Sequence, residues 1–218
     1  MCGIIGYTGS EDVKGVLLDA LELLEYRGYD SAGIALADTG LKQTKVYKCA
    51  GRVKDLRVIC ESEKLITECG IGHTRWATHG GVNDTNAHPH QVGKVTLVHN
   101  GIIENYRELI ADYELESVLK SETDSEVVAA LLNKFYTGDP DEAIKKTVSK
   151  LKGTFALVIL FEDHQGEIYS VRNVSPIVAT LCKEGAMLAS DLTALCRFTN
   201  RYFVVPEYHI LKLAKDAI

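Results

Sequence analysis

Cys2 lies in the opening segment Met1-Cys2-Gly3-Ile4-Ile5-Gly6. Cysteine is small enough for an aminopeptidase to remove the methionine before it, and removal of Met1 leaves a thiol and a free α-amino group on one residue. An α-amine of pKa about 7.7 to 8.0 is a general base at neutral pH, and a thiol near 8.5 is partly ionised there. Nucleophile and base then sit on the same residue. With Met1 retained the amine is blocked, and Cys2 is an ordinary small side chain.

A second group of residues suits a charged substrate. His73-Thr74-Arg75-Trp76-Ala77-Thr78-His79-Gly80 holds a guanidinium, two hydroxyls and the only tryptophan, just before Gly81. Arginine clamps a carboxylate through two parallel N–H donors, with threonine and histidine of the segment adding hydrogen bonds; a strand end with a snorkelling arginine is the plainer reading. In His99-Asn100-Gly101 a glycine lets its backbone N–H approach a ligand and the Asn100 amide supplies a second donor, which describes an oxyanion hole. Asn-Gly is also a very common turn dipeptide, so on its own the segment reads first as a turn closing a strand. Asp124, in Ser121-Glu122-Thr123-Asp124-Ser125-Glu126, precedes a helix capped by Thr123 or Ser125, and its carboxylate is placed to receive an ammonium. His88 and His90, with His73 and His79, raise the question of zinc, but a His-x-His pair without a third ligand at a known spacing and without Cys-x-x-Cys argues against metal. Tyr26 to Gly33, which contains Arg27, reads as a helix cap and turn and lacks nucleotide-loop spacing.

These residues need elements to hold them. The chain has 218 residues, and 24 Lys+Arg against 30 Asp+Glu give a net charge of −6, so nucleic acid is not an expected partner. A hydrophobic content of 46% with 25% charged residues indicates one packed globular domain spanning 1–218. The longest apolar run, Phe155 to Phe161, is a buried strand and too short to cross a membrane. The N-terminus lacks a secretory signal, and six cysteines without a Cys-x-x-Cys pair read as reduced thiols in the cytosol. Helical spacing is clear over 11–26, 102–113, 125–136 and 140–151, the last with Asp139 as N-cap and Pro140 at the first turn. A short helix is expected over 51–63. Strands are expected over 3–7, 34–37, 45–50, 71–77, 94–98, 153–161, 167–171, 177–182, 187–189, 202–205 and 208–212. Strands flanking a central helical block predict an α+β sandwich of antiparallel sheets covered by helices.

Cys-Gly-Ile-Ile-Gly at 2–6, YRGYDSAG at 26–33, HTRWATHG at 73–80, NAHPH at 86–90, HNGIIEN at 99–105 and SETDSE at 121–126 occur in one order. Together they resemble the glutaminase domain of the glutamine:fructose-6-phosphate amidotransferases, class II N-terminal nucleophile enzymes. The resemblance implies a four-layer αββα fold and hydrolysis of the L-glutamine side-chain amide through a Cys2 thioester, with no cofactor. It assigns the oxyanion to Asn100 and Gly101, the substrate carboxylate to Arg75 with Thr78 and His79, and the ammonium to Asp124. Trp76 matches a residue that gates ammonia, Arg27 lies beside the nucleophile, and His88 is accessory. The implied partner is a sugar-isomerase part that uses the ammonia, which the family carries beyond the position of Ile218; no membrane is implied, and a homo-oligomer is compatible with it. One departure is Val174 in Arg172-Asn173-Val174-Ser175-Pro176, where the family usually has glycine, which puts that loop's conformation in question. A cysteine peptidase using Cys2 with His79 or His99, a glutaminase domain of another class II enzyme, and a silent glutamine-binding or docking domain are the alternatives.

Overall fold

The apolar spacing over 11–26 becomes helix α1 (Val13–Leu24) in a computed structural model, with Val13, Val16, Leu17, Leu18, Ala20, Leu21 and Leu24 all buried. The structure describes residues 2–63, 65–77 and 80–218. Thr78 and His79 therefore lie outside the described residues. Strands β1 (Gly3–Gly9), β2 (Ser31–Asp38), β3 (Gln43–Cys49) and β4 (Thr67–Arg75) surround α1 in sequence, with the short helix α2 (Val53–Cys60) between the last two. Next come β5 (His90–Val92) and β6 (Val95–Ile103), then α3 (Tyr106–Asp112), α4 (Asp124–Phe135) and α5 (Pro140–Val148). The chain finishes with β7 (Gly153–Phe161), β8 (Ile168–Asn173), β9 (Val178–Cys182), β10 (Gly185–Ala189), β11 (Phe203–Val204) and β12 (Leu211–Leu213).

The strands form two antiparallel sheets. One has the order β11-β9-β10-β1-β4-β2-β3 and the other β12-β8-β7-β6-β5. Side chains alternate across a strand, so each sheet has two faces to cover. Ile5, Ile34, Leu36 and Met187 pack with α1 and α2 on the outer face of the seven-stranded sheet. Leu97, Phe155, Leu157 and Ile159 pack under α3, α4 and α5 on the outer face of the other. Ile4, Ile71, Val98, Ala156 and Val158 fill the space between the sheets. The result is helix, sheet, sheet, helix in four layers. No helix among the described residues is long and apolar enough to cross a membrane.

Two local expectations are corrected and one short strand is added. The strand read as ending in a turn at His99-Asn100-Gly101 instead runs on to Ile103, paired with β7 from Val95↔Phe161 to Ile103↔Gly153. A Cβ at Gly101 (φ +129°) would lie 2.0 Å from the Thr154 carbonyl, so this glycine answers a close strand approach rather than a turn. The helix expected from Ile102 accordingly starts at Tyr106. The three-residue β5 was too short to leave a sequence signal.

The departure at Val174 also resolves. Val174 adopts φ +65°, with Ser175 N–H donating to Asn173 O at 2.8 Å across it. A β-branched residue in this region is strained by about 1–3 kcal/mol, and glycine would be free of it. Glu207 holds the turn, accepting from Val174 N and from Arg172, each at 3.2 Å.

Candidate active site

Alternation along three strands assembles the site. In β4 the side chains of Cys69 and Ile71 lie between the sheets, and the two-residue period puts His73 and Arg75 next on the same face. In β6 the inward Val98 is followed by Asn100, and in β1 the inward Ile4 is preceded by Cys2. Gly3 pairs with Thr74, which brings the start of β1 to the end of β4. At this end of the sandwich the apolar filling gives way to Cys2, His73, Arg75 and Asn100.

Backbone contacts fix Cys2. Its Sγ accepts from Trp76 N–H at 3.2 Å, and its carbonyl oxygen accepts from Asn100 Nδ2 at 2.9 Å and Arg27 Nε at 3.3 Å. Arg27 is held in turn by Asp191, 2.6 Å from its guanidinium, and Tyr26 donates to the same carboxylate at 2.9 Å. The loop carrying Arg27 can lie this close because Gly28 has no side chain: a Cβ there would stand 2.7 Å from Trp76 N. Burial pushes the Cys2 thiol above its ordinary value, partly offset by the Trp76 N–H, Arg75 and Arg27. A resting thiol here is protonated, so attack requires a base to take that proton.

Cys2, Arg75, Gly101 and Asp124 line one cleft. Arg75 is buried at 5% exposure and donates to the carbonyls of Gly81 at 3.2 Å and Gly80 at 3.4 Å. Asp124 opens α4, where Thr123 is the N-cap accepting from Glu126 N. Its carboxylate also accepts from Ile103 N–H at 2.8 Å, tying the start of α4 to the end of β6. A second cavity of about 280 Å³ adjoins Cys2 on the side of Asn100 and Ile102, closed by Arg27, Ser175 and Pro176. Trp76 lies between the two cavities, half-exposed, its ring edge-on to Tyr29 at 5.6 Å.

Four buried histidines pack beneath the cleft, and two of them, His88 and His99, reach its lining. His73 stacks on His88 at 4.1 Å, and His90 meets His88 edge-on at 4.6 Å. His88 Nδ1 accepts from His99 N–H at 3.3 Å, His99 Nδ1 pairs with Ser125 Oγ at 2.8 Å, and His90 Nε2 pairs with Thr123 Oγ1 at 3.0 Å. His88 lines the cleft and also supports its neighbours, stacking on His73 and accepting from the His99 backbone. Burial drives all four below the ordinary histidine value, His73 to about 3. Each therefore stays neutral when folded, while in the unfolded chain each protonates near pH 6.5. The stabilisation from His73 is complete above about pH 6.5 and is lost as pH falls toward 3, and the lowered values of His88, His90 and His99 act with the same sign. The slope is about 1.4 kcal/mol per pH unit for every proton taken up on unfolding. Melting temperature is expected to fall steadily from pH 6.5 to 5, where ordinary carboxylates are still ionised. A flat melting temperature over that window would show that the histidines are not neutral and buried.

Among the described residues no group of three or more His, Cys, Asp or Glu is arranged to hold a metal ion. Sequence reasoning missed Asp191 and Ser190. Ser190 Oγ accepts from Ile4 N at 2.9 Å and its own N–H donates to Ile4 O at 3.0 Å, anchoring β1. Neither residue lies in a distinctive motif, and only the β1–β10 pairing brings them to the site.

The glutamine amidotransferase domain family matches residues 73–197, more than half of the chain. The chain belongs to this family. Relatives carrying the name glutamine--fructose-6-phosphate aminotransferase (isomerizing) are 43% identical over 222 residues in Bacillus spizizenii and 46% identical over 223 residues in Geobacillus kaustophilus. In both, the alignment covers 100% of this chain and 36% of the relative, so the chain spans about a third of their length. Among solved structures, the glutamine phosphoribosylpyrophosphate amidotransferase from B. subtilis superposes with a TM-score of 0.77 at 23% identity, over 98% of this chain and 49% of that one. An allosteric regulatory enzyme of purine biosynthesis gives 0.83 at 25% identity, over 99% and 49%. The four-layer arrangement of this amidotransferase domain is that of the class II N-terminal nucleophile enzymes.

Proposed function

We propose that this amidotransferase domain hydrolyses the side-chain amide of L-glutamine to glutamate and ammonia. The observation that carries the reading is the placement of Cys2 at one end of a cleft whose walls hold Arg75 and Asp124. A free amino acid presents a carboxylate and an ammonium at fixed separation from its amide, and these two side chains offer the opposite charges. With Met1 removed, the Cys2 amine takes the thiol proton, directly or through a water, as sulfur attacks the amide carbon. The tetrahedral oxyanion meets Asn100 Nδ2 and Gly101 N–H. An amide NH2 carries two hydrogens, so the contact with Cys2 O leaves one for the oxyanion. The proton returns to the leaving nitrogen, ammonia departs, and water cleaves the γ-glutamyl thioester. Thr78 and His79 complete the carboxylate site in this reading, Trp76 stands where ammonia must pass, and Arg27 steadies the backbone of the nucleophile.

We further propose that the ammonia serves a sugar-isomerase part acting on fructose 6-phosphate, as the names of the relatives suggest. Six free thiols suit a reducing compartment.

Charge-assisted hydrogen bonds contribute about 1.5–3 kcal/mol each. Arg75→Ala and Asp124→Ala are therefore each expected to raise KM for glutamine by roughly 10- to 100-fold. Ammonia release measured against glutamine concentration tests both, and an unchanged KM in either variant removes that residue from the substrate site. Amide release from free glutamine without peptide cleavage separates this function from a cysteine peptidase.

A further inference from the structure

The Asn100 amide can serve an oxyanion only if its NH2, not its oxygen, faces Cys2. Two groups settle which way it points. The Cys2 carbonyl can only accept, and it lies 2.9 Å from one end of the amide. On the other side His73 Nε2 lies 3.0 Å from Asn100 Oδ1 and 3.1 Å from the His99 carbonyl. Since the His99 carbonyl also can only accept, Nε2 must carry the proton, and the Asn100 atom it meets must be oxygen. The His73 ring has no freedom to do otherwise. It is 1% exposed, lies flat against His88 at an interplanar angle of 18°, and its Nδ1 is buried without a hydrogen-bond partner, as expected of a bare lone pair.

We propose that His73 is a positioning residue for amide hydrolysis: its Nε2–H donates to Asn100 Oδ1 and locks the NH2 toward the nucleophile. His73 does not line the cleft and acts only through Asn100. This rests on the reading of Asn100 as the oxyanion donor. Burial keeps the ring neutral across the working pH range, so the lock does not titrate.

Two amide substitutions separate the role from mere packing. The glutamine side-chain nitrogen reaches about as far as histidine Nε2, whereas the asparagine nitrogen reaches only the place of the partnerless Nδ1. His73→Asn is expected to lower kcat for ammonia release about 10- to 100-fold with KM for glutamine within about twofold. His73→Gln recovers kcat to within about threefold of the parent. If the asparagine variant does not fold by thermal denaturation, His73→Leu, which has no donor, takes its place. An undiminished kcat in the folded donor-less variant overturns the proposal. So does equal loss in the Gln and Asn variants with KM and melting temperature shifting together. In an Asn100→Ala background His73→Asn should lower kcat no further, and an additive loss also contradicts the lock. If Asn100→Ala itself leaves kcat unchanged, the oxyanion reading has failed; if it lowers kcat while His73→Asn does not, only the His73 inference has failed.

Discussion

Replacing Cys2 with alanine is expected to lower kcat for glutamine hydrolysis by on the order of 10⁴ or more, leaving the protein folded and still able to bind glutamine. The remaining groups hold charges and stabilise an oxyanion, but none supplies a nucleophile. The fold should tolerate the change because, among the described residues, the Cys2 thiol hydrogen-bonds to the backbone N–H and carbonyl of Trp76, and the Cys2 carbonyl keeps its contacts with Asn100 and Arg27. Ammonia release and calorimetric titration of glutamine measure the two halves of this expectation. Retention of more than about 1% of the activity would remove the thioester from the mechanism. Because burial holds the thiol protonated, a chain that keeps Met1 should be nearly as inactive as the alanine variant.

Asn100→Ala should lower kcat by about 10² to 10³ with little change in KM, since an oxyanion donor acts in the transition state more than in the ground state. The alanine also frees the Cys2 carbonyl and leaves His73 Nε2 with the His99 carbonyl alone, so a modest drop in melting temperature should accompany it. The kinetic signature distinguishes the two effects. A kcat within about fivefold of the parent would reduce Asn100 to a structural link between β6 and the start of β1.

Local patterns revealed most of the elements and few of the meetings between them. The spacing of Val13, Leu17, Leu21 and Leu24 specifies a helix because one face must be buried, and Asp139 before Pro140 caps α5 as its chemistry requires, accepting from Glu142 N. Asn100-Gly101 misled because the same dipeptide suits a turn and a crowded strand. The choice depends on the Thr154 carbonyl, more than fifty residues away in sequence. The candidate residues were visible as types, but the cleft depends on sheet register: β1 against β4 sets Cys2 beside Trp76, and β6 across the sandwich brings Asn100 to the Cys2 carbonyl. Asp191 had no local signal at all. His73 was visible only as a possible metal ligand, and its contacts with Asn100 and His99 give it a different task.

The central claim is that an unblocked Cys2 is the nucleophile toward a glutamine amide. The most direct measurement is intact-mass and peptide mapping of protein shown to lack Met1 after exposure to the glutamine-analogue electrophile diazo-oxo-norleucine. One adduct on Cys2, formed in step with loss of ammonia release and prevented by excess glutamine, is the expected result. No adduct, or an adduct on another of the six cysteines while Cys2 remains unmodified, would contradict it.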